Sequence, residues 1–481
     1  MLKKLLFVIA VFAFTGCLAQ EAFTTSLYDT YPEYKEPTLD KRRIKHAQIQ
    51  PLIQKFRANP KFEVQKVGES IEGRDLNLIS IGSGSKNIFL WSQMHGDEPT
   101  ATQAIFDILQ FLDSPEFVLE KQEILGKLKL HFLPMLNPDG AEVFQRRNAL
   151  GIDINRDALR LQSPEGQTLK RLRDSLNADF GFNLHDQSTY YNAELTDKPA
   201  TISYLATAFN YEKDINEVRS NAMKVIVYMN DIIQRYAPGQ VGRYSDDFEP
   251  RAFGDNIAKW GTSLILIESG GYTNDVEKQE IRKLNYVSIL SALYTIAKGT
   301  YKDIPIEDYE KIPKNDRKLF DLKIENVTYE LLGKEYILDL GIQRQEIDLK
   351  GHNDFYYKSM IADQGDLSTY YGYETFDAGG YKIVPPKLEA LKSISNPMTH
   401  LKNGVAYARN SLAMEGNFTK IPLIFVNQDF ELKPMNLQPG INPTFFLEKQ
   451  GKITHAVING FLIDLSRPIG EQNFGNALIH R

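Results

Sequence analysis

Cysteine is nearly absent from this chain: Cys17 is the single cysteine among 481 residues. A disulfide framework is therefore excluded, and we expect stability to come from the apolar core and from any bound metal. A second long hydrophobic run is also missing, so we expect no membrane-spanning helix. No internal repeat or low-complexity tract is present, and the length suits two or three globular domains.

An excess of positive charge is missing as well. The chain has 56 lysine and arginine residues against 62 aspartate and glutamate residues, which gives a formal net charge of -6. The basic residues are dispersed rather than gathered in a stripe with aromatic residues, so we expect no nucleic-acid partner. The hydrophobic fraction of 42% and the charged fraction of 25% are ordinary for a soluble globular protein.

The start of the chain has the pattern of a targeting segment. Lys3-Lys4 precedes an apolar run over residues 5–14, which is too short to span a bilayer. One interpretation makes residues 1–19 a signal peptide, with export to the periplasm or the extracellular space. Alternatively, Thr15-Gly16-Cys17 resembles a bacterial lipobox, which would make Cys17 a lipid anchor to the cell envelope. The sequence leaves both interpretations open.

From residue 39 to residue 298 the hydrophobic pattern alternates between helix and strand periods. An amphipathic helix over 39–57 precedes a β-hairpin formed by 62–68 and 76–81. Further strands are predicted at 128–136, 180–184 and 263–267, and further helices at 167–176, 215–236 and 275–298. Such alternation predicts an α/β fold, with a mixed, mostly parallel sheet and helices on both faces.

The pattern changes after residue 302. Residues 303–313 are charged and contain proline, which is typical of a linker. Beyond them β-type segments dominate, at 322–332, 335–345, 380–384, 420–426 and 455–463. We therefore predict an α/β domain over residues 20–302 and a β-rich accessory domain over residues 303–481.

The most informative motif is His95-Gly96-Asp97-Glu98, which comes after the apolar run 87–91. That run predicts a buried strand, and a helix is predicted to begin near Pro99. An imidazole and a carboxylate three positions apart can bind one metal from a single strand-to-helix turn. This nitrogen and oxygen ligand set suits zinc. A four-residue motif recurs by chance, so its weight depends on whether residues further along the chain complete the site.

Three other polar segments also come directly after predicted strands. They are Asn137-Pro138-Asp139-Gly140, His185 and Glu268. In an open α/β sheet the carboxyl ends of the strands form the ligand site, so we expect these segments to meet. A histidine in a strand is more often structural, as we interpret His131. A glutamate at the end of the apolar strand 263–267 is costly without a partner or a function.

Together these motifs resemble the zinc metallocarboxypeptidase family, whose site combines an HxxE pair with a distant histidine. The order of the motifs is similar along residues 60–298, and the resemblance does not extend to the β-rich domain. Besides His95, Glu98 and His185, the matching segments are Gly68 to Arg74, Arg146-Arg147-Asn148, Gly151 to Arg156 (the family's GxDxNR) and Gly261 to Glu268.

The resemblance implies that His95, Glu98 and His185 bind one Zn²⁺ per chain. Three protein ligands leave one zinc position open for water, and zinc lowers the pKa of that water to roughly 7. Glu268 is then implied as the general base that accepts the water proton and as the acid that passes it to the leaving amine. Arg146 is implied as the residue that stabilises the oxyanion.

Substrate-binding roles are implied for three further residues. Asn155 and Arg156 would bind the terminal carboxylate of the substrate, since a guanidinium pairs with a carboxylate in bidentate fashion. Tyr244 would close over the site, although an ordinary packed aromatic is an equal alternative for it. Asp153 is interpreted as a buried hydrogen-bonding residue that supports the site.

Two features of the sequence bear on the substrate. Asp97 stands where the digestive carboxypeptidases carry an arginine, and HGDE is similar to the bacterial branch that trims cell-wall peptides and to N-acyl amino acid deacylases. Asp246, Asp247 and Asp255 would favour a cationic side chain or a diamino acid if they line the pocket. Such acidic residues more often face solvent or cap turns.

The sequence therefore predicts an exported zinc metallocarboxypeptidase that hydrolyses a peptide bond next to a free carboxylate, with a cell-wall peptide as a candidate substrate. An N-acyl amino acid deacylase is the first alternative, since it shares the HxxE pair, the arginine and the Asn-Arg pair. The second alternative is a non-catalytic envelope protein that binds peptide or glycan. The complete ligand set and Glu268 argue against that alternative.

Overall fold

The computed structural model describes residues 20–391, 396–410, 418–468 and 478–479. The predicted signal peptide and Cys17 lie outside these residues. None of the described helices is long and apolar enough to cross a membrane. The chain forms two compact units, of which the first ends at Arg317 and the second begins at Lys318.

The first unit extends beyond residue 302, where the sequence pattern places the domain boundary. A short 3₁₀ helix, Ile306–Lys311, lies in this stretch, and both Tyr309 and Ile312 are buried in the core of the first unit. The Tyr309 hydroxyl accepts a hydrogen bond from the Ala206 N–H at 3.0 Å. Residues that look like a linker in the sequence are therefore packed as part of the first unit.

The first unit is built on an eight-stranded sheet. Its strands are β1 (Glu63–Glu69), β2 (Asp75–Ile81), β3 (Lys86–Ser92), β4 (Leu128–Leu133), β5 (Phe180–Asp186), β7 (Ile202–Ala206), β8 (Val241–Arg243) and β9 (Ser263–Ser269). Their order across the sheet is β1-β2-β4-β3-β5-β9-β7-β8. A separate antiparallel pair joins β6 (Asn192–Ala193) to β10 (Asn315–Asp316).

The four central strands of the sheet, β4, β3, β5 and β9, are parallel to one another. Antiparallel pairs join β1 to β2, β2 to β4 and β7 to β9, while β8 is parallel to β7. The sheet is therefore mixed, with more parallel than antiparallel pairs, as the sequence predicts. Every residue of β9 is buried, which explains why a central strand shows a continuous apolar run rather than alternation.

Helices cover both faces of this sheet. They are α1 (residues 20–29), α2 (Tyr31–Tyr34), α3 (His46–Arg57), α4 (Thr100–Asp113), α5 (Val118–Lys127), α6 (Pro138–Glu142), α7 (Pro164–Leu176), α8 (Glu217–Tyr236), α9 (Phe253–Lys259) and α10 (Gln279–Lys298). The larger apolar core joins one face to α3, α4, α8 and α10, and a smaller core joins the other face to α7 and α9. This arrangement confirms the predicted α/β fold.

Some elements of the first unit differ from the sequence pattern. Helix α3 begins at His46 rather than at residue 39, because groups in the preceding stretch bond elsewhere. The Leu39 carbonyl accepts from the Arg282 guanidinium, and the Arg42 N–H donates to the Glu277 carboxylate at 2.8 Å. The strands β7 and β8 and the helices α5 and α9 are short elements that the hydrophobic pattern does not predict.

The second unit is rich in β-structure, which confirms that part of the fold prediction. Its strands are β11 (Leu319–Leu331), β12 (Lys334–Asp348), β13 (Phe355–Gly365), β14 (Tyr371–Asp377), β15 (Lys382–Val384), β16 (Lys387–Leu391), β17 (Val405–Asn410), β18 (Phe418–Thr419), β19 (Ile424–Val426), β20 (Phe445–Lys449), β21 (Lys452–Ile458), β22 (Phe461–Asp464) and β23 (Leu478–Ile479), with one described helix, α11 (Pro397–Lys402). The largest sheet has the order β13-β12-β11-β15-β20-β21-β22, and β14 also pairs with β11. Strands β16, β17 and β19 form a parallel sheet, and β18 pairs with β23.

Two strand predictions in the second unit are wrong in detail. The segment 455–463 is not one strand but the hairpin of β21 and β22. Its turn contains Asn459 and Gly460, whose φ angles of 48° and 75° suit a tight turn that needs two left-handed residues. The predicted strand 420–426 reduces to the three residues of β19.

Candidate active site

The predicted site residues meet at the carboxyl ends of the parallel strands. His95 and Glu98 lie in the loop between β3 and α4, and His185 and Glu268 are the penultimate residues of β5 and β9. These two strands pair so that His185 lies opposite Glu268. All four residues line a cavity of about 360 Å³, together with Arg146, Asn155, Arg156, Tyr244, Asp246, Asp247 and Asp255. The structure therefore brings every predicted site residue to one cavity, at the sheet edge where ligand sites are expected.

His95, Glu98 and His185 form one compact, buried group. The Glu98 carboxylate lies between the two imidazoles, with Oε1 2.8 Å from His95 Nδ1 and Oε2 2.7 Å from His185 Nδ1. One possible ligand atom from each residue lies within 4.8 Å of the other two. Among the described residues this is the one cluster of histidine, cysteine and acidic side chains found close enough together to bind a metal ion.

The hydrogen bonds of His95 suit a metal ligand. Its Nε2 lies 3.1 Å from Asp153 Oδ1, and a carboxylate only accepts, so Nε2 carries a proton. Nδ1 faces the Glu98 carboxylate, and a metal ion bound there would take the place of the Nδ1 proton. Zinc accepts such a nitrogen and oxygen set. The residues present therefore fit a bound zinc ion.

Burial and charge shift the ionisation of this group in opposite directions. Burial lowers the pKa of His95, but the Glu98 charge and the hydrogen bond to Asp153 outweigh burial and raise that pKa to about 9. Burial raises the pKa of Glu98, but the two histidines outweigh it and hold that pKa well below its usual range. Without a metal the group binds a proton at this place, so metal binding must displace a proton.

The Glu268 carboxyl group lies beside the three-residue cluster, and one of its oxygens makes no hydrogen bond in the described part of the chain. The residue is 8% exposed, and its Oε2 is buried without a hydrogen-bond partner in the described part of the chain. Burial, and after it the negative charge of Glu98, raises the pKa of Glu268 well above its usual range. A buried carboxyl group with a raised pKa and a free oxygen is suited to take up a proton during a reaction.

Arg146 reaches the same cluster from the loop after α6. Its Nε donates to Asp153 Oδ2 at 3.0 Å, and its Nη1 lies 3.1 Å from His95 Nδ1 and 3.4 Å from Glu98 Oε1. The side chain is 41% exposed, so the guanidinium is accessible from the cavity. Asp153 holds both Arg146 and His95, which is the supporting position that the sequence predicts for it.

Asn155 and Arg156 belong to a 3₁₀ helix, Ile154–Arg156. Asn155 Oδ1 accepts from the Phe253 N–H at 2.9 Å, which leaves the carboxamide nitrogen as the group that can donate to a ligand. Arg156 Nε lies 3.6 Å from Glu249 Oε2, and its Nη1 donates to the Asn155 carbonyl at 2.8 Å. A ligand carboxylate would compete with Glu249 for this guanidinium.

Tyr244 lies at the wall of the cavity. Its ring packs edge-on against Tyr191, with the ring centroids 6.0 Å apart. Burial, and after it the charge of Glu268, raises the pKa of Tyr244, so its hydroxyl keeps its proton and can donate a hydrogen bond. This position is compatible with a role toward substrate and with ordinary packing, the two alternatives that the sequence leaves open.

The three aspartates at the cavity differ in their partners. Asp246 and Asp247 both pair with the Lys213 ammonium, at 2.9 Å. Asp255 is 9% exposed and accepts a hydrogen bond from the Glu249 N–H at 3.3 Å. Burial raises the pKa of Asp255 to about 7. Among the three, Asp255 is the carboxyl group without a lysine or arginine ion pair in the part of the chain that the structure describes.

Sequence reasoning missed several polar residues around the site. Asp186 and Lys278 form a buried ion pair at 3.0 Å, and Glu249 contacts Arg156. Asn183, two residues before His185, is fully buried, and neither polar atom of its amide has a partner in the described chain. The sequence does contain a signal for Asn183, because a polar residue inside an otherwise apolar strand indicates a buried polar group. Lys278 and Glu249 carry no comparable signal in the sequence.

Comparison with known proteins identifies the family that this region matches. Residues 49–196 match the zinc carboxypeptidase family, peptidase M14. An uncharacterized protein, ZMO1242 of Zymomonas mobilis, is 26% identical over 28% of this chain and 36% of its own length. Carboxypeptidase SOL1 of Arabidopsis thaliana is 32% identical over 19% of this chain and 20% of its own length. Carboxypeptidase 2 of Trichophyton rubrum is 31% identical over 21% of this chain and 19% of its own length.

Solved structures give matches of low sequence identity. A metallo-carboxypeptidase from Burkholderia cenocepacia is 15% identical, with a TM-score of 0.43 over 53% of this chain and 69% of the other. Carboxypeptidase A from Helicoverpa armigera is 15% identical, with a TM-score of 0.43 over 59% of this chain and 81% of the other.

The matches to curated relatives thus span about a third or less of each relative's length. Within that span the family match confirms the resemblance carried by the motifs, since residues 49–196 match the zinc carboxypeptidase family. The family is zinc-dependent, in agreement with the cluster of His95, Glu98 and His185.

Proposed function

We propose that this protein with a zinc carboxypeptidase domain is an exported metallocarboxypeptidase. It hydrolyses the peptide bond next to a free carboxylate and uses one zinc ion per chain. The observation that carries the proposal is the convergence of His95, Glu98 and His185 beside the uncommitted carboxyl oxygen of Glu268. The family match over residues 49–196 supports it.

The residues of the cluster and around it have separate roles in the proposed reaction. His95, Glu98 and His185 would hold the zinc ion, which would supply Lewis acidity at the scissile bond. Glu268 accepts the proton of the attacking water and passes it to the leaving amine, for which its buried, uncommitted oxygen is suited. Arg146 donates hydrogen bonds to the oxyanion that forms as the water attacks.

Substrate positioning falls to residues on the cavity wall. The Asn155 carboxamide nitrogen and the Arg156 guanidinium bind the terminal carboxylate, which fixes the scissile bond beside Glu268. Arg156 leaves Glu249 for the substrate in this step. Tyr244 donates its hydroxyl proton in a hydrogen bond to the bound peptide. With these contacts, the proposed substrate needs a free carboxylate next to the scissile bond.

Two substitutions test the core of this proposal. Glu268→Gln keeps the shape of the side chain but cannot accept a proton, so we expect hydrolysis of a short peptide to fall by at least about 10²- to 10⁴-fold. Zinc content, measured by atomic absorption, should stay unchanged in this variant. His185→Ala should lose zinc. Retained hydrolysis in the first variant contradicts the base role, and retained zinc in the second removes His185 from the ligand set.

An N-acyl amino acid deacylase is the main alternative, since the same cluster, Arg146 and the Asn-Arg pair would serve it. Its substrate also has a free carboxylate beside the scissile amide. Initial rates on a panel of N-acyl amino acids, short peptides and cell-wall peptides separate the two activities. A purified, zinc-loaded protein that hydrolyses none of them would favour a non-catalytic binding protein instead.

We propose a small bacterial peptide, such as a cell-wall peptide, as the substrate class. Asp97, in place of the arginine of the digestive enzymes, supports this choice. The unpaired Asp255 carboxyl group supports a cationic or diamino terminal residue. The substrate panel should therefore include terminal lysine, diaminopimelate and leucine in otherwise identical peptides.

We also propose that the protein works outside the cytoplasm, either secreted after removal of residues 1–19 or anchored through Cys17. The positively charged start and the short apolar run of the sequence support export. Mass spectrometry of the mature N-terminal peptide distinguishes the two forms, since a lipid-modified Cys17 carries a large mass increment. A mature chain that keeps Met1 would contradict both.

The β-rich second unit is proposed to have an accessory role. It contains its own apolar clusters, and the described residues show the metal-ligand cluster only in the first unit. Peptide hydrolysis by the full chain and by a chain without residues 318–481 tests this role. Loss of the whole activity with an intact, zinc-loaded first unit would show that the second unit is required for catalysis.

A further inference from the structure

Lys278 is a buried lysine that touches the strands carrying His185 and Glu268. Its Nζ donates to Asp186 Oδ2 at 3.0 Å and to the Ser269 carbonyl at 2.9 Å. The side chains of Lys278 and Asp186 are 6% and 7% exposed. Asp186 directly follows His185 in β5, and Ser269 directly follows Glu268 in β9. One ammonium group therefore joins the end of β5, which carries a proposed zinc ligand, to the end of β9, which carries the proposed base.

A second hydrogen bond extends this network to the third segment of the site. The Thr100 hydroxyl donates to the same carboxylate oxygen, Asp186 Oδ2, at 2.6 Å. Thr100 is fully buried at the start of α4, two residues after Glu98. The chain Thr100–Asp186–Lys278–Ser269 thus connects positions one or two residues after Glu98, His185 and Glu268.

Two unfavourable contributions to the folding free energy oppose the observed placement of Lys278. Its ammonium and the Asp186 carboxylate have both left water, and a buried ion pair is often no more stable than apolar residues of the same volume. Its backbone is left-handed, with φ 51° and ψ 34°, a conformation that a residue with a side chain seldom adopts. Such strain persists only where surrounding contacts determine the conformation.

Glu268 depends on this kind of support. Its Oε2 has no hydrogen-bond partner in the described chain, so no side-chain contact of that oxygen fixes the carboxyl group. Its position is set by the strand, and the end of the strand is held at Ser269. The Ser269 carbonyl accepts from Lys278 at 2.9 Å and from the Gln187 N–H at 3.0 Å, and the Ser269 hydroxyl accepts from the Asn285 amide at 2.9 Å. Displacement of a catalytic group by about 1 Å is enough to slow a reaction by about 10²-fold.

We infer that Lys278 is a positioning residue for the proposed reaction. Through Asp186 and Ser269 it fixes the Glu268 carboxyl group relative to the zinc ligands, while Thr100 fixes His185 relative to Glu98. This inference rests on the proposed function, because it assigns Lys278 to the geometry of that reaction. It predicts that substitution of Lys278 lowers kcat, whereas substitution of Thr100 weakens zinc affinity.

Lys278→Met tests the end of the network at Glu268. The three ligands and the Thr100–Asp186 bond stay in place, so zinc affinity should stay within about threefold of wild type. The kcat should fall by roughly 10- to 100-fold, the size of effect typical for supporting residues of metal sites, with KM little changed. The double variant Lys278→Met with Asp186→Asn removes the unpaired charge, so it should recover stability without recovering kcat.

Thr100→Val tests the other end. The valine keeps the volume but cannot donate to Asp186, so the end of β5 next to His185 loses its side-chain link to the start of α4, and only the direct contact of His185 with Glu98 remains. Zinc affinity, measured by competition with a chelator, should weaken by roughly tenfold. At saturating zinc, kcat should stay closer to wild type than in Lys278→Met.

A second buried lysine provides the matched control. Lys121 is 7% exposed, donates to the carbonyls of Phe111 and Ser114, and does not line the cavity. Lys121→Met should lower the unfolding temperature but leave kcat unchanged when measured well below that temperature.

The outcomes separate this inference from the proposed function. A wild-type protein with no zinc-dependent hydrolysis overturns the proposed function. An active wild type whose Lys278→Met and double variants keep kcat within about twofold overturns the inference alone. Equal losses of kcat in the Lys278 and Lys121 variants also overturn it, since the effect would then follow from stability. Lowered kcat with unchanged zinc affinity, in both Lys278 variants and not in the control, supports it.

Discussion

Glu268 shows how the environment of one residue sets its chemistry. Burial, and after it the charge of Glu98, raises the pKa of this carboxyl group. A general base works only when ionised, so kcat/KM is retained above this pKa and lost as the pH falls through it. We expect the acid limb of the pH profile, measured with a peptide without titrating side chains, above the ordinary glutamate pKa of about 4.3. A limb at the ordinary value would contradict the assignment of Glu268 as a buried base.

Asp255 gives a prediction about specificity. Its pKa is raised to about 7 by burial, so its charge appears as the pH rises through neutrality. The preference for terminal lysine over terminal leucine, as a ratio of kcat/KM, should therefore grow from pH 6 to pH 8. Asp255→Asn should remove the pH dependence and lower the ratio by about 10-fold or more, the value of one hydrogen bond to a charged group.

Asp247 supplies the control for that measurement. Its side chain is 84% exposed and already paired with Lys213, so Asp247→Asn should leave the ratio unchanged. A ratio that does not change in Asp255→Asn, or that changes equally in both variants, would remove Asp255 from the specificity pocket.

At the scale of elements, the loop with His95 and Glu98 is in close contact with helix α6. A Cβ atom on Gly96 would lie 2.0 Å from the Gly140 carbonyl carbon, so the loop with His95 and Glu98 packs directly on the backbone of α6. Gly96→Ala should push the loop away from helix α6, which we expect to weaken zinc binding and to cost about 1–3 kcal/mol of unfolding free energy. Chelator competition and thermal unfolding measure the two effects.

Gly126 is the matched control for this substitution, because a Cβ atom there meets nothing within 4 Å and the residue lies in helix α5. Gly126→Ala should leave zinc binding unchanged and should not destabilise the protein, since alanine favours a helix over glycine. Equal zinc affinity in Gly96→Ala and wild type would show that zinc binding does not need the close packing of this loop on helix α6.

The same elements show what the sequence could and could not predict. Strands β3, β5 and β9 are buried and apolar, so their apolar runs can be recognised in the sequence. Because ligand sites form at the carboxyl ends of the strands in an open α/β sheet, His95, His185 and Glu268 are then predicted to lie together. Helix α9, which contributes Asp255 to the cavity wall, has only seven residues and too short a pattern to detect. Strand β7 pairs with β9 through a connection that no local pattern reveals.

At the scale of the whole molecule, the limits of sequence reasoning arise from distance along the chain. The ion pair of Asp186 and Lys278 joins residues 92 positions apart, and the contact of Arg156 with Glu249 is similarly remote. Local periodicity carries no information on such pairs. Motif order located the proposed catalytic groups, whereas the supporting network around them required the structure.

The division of the chain into two units leads to a prediction about metal and stability. Both tryptophans of the chain, Trp91 and Trp260, lie in the first unit, as do all three proposed zinc ligands. Tryptophan fluorescence therefore reports the unfolding of the unit that binds the metal. Free zinc at about 100 times its dissociation constant should stabilise this unit by about 2.7 kcal/mol, which a chelator removes. In His185→Ala the fluorescence transition should no longer respond to zinc, and a response equal to wild type would place the metal elsewhere.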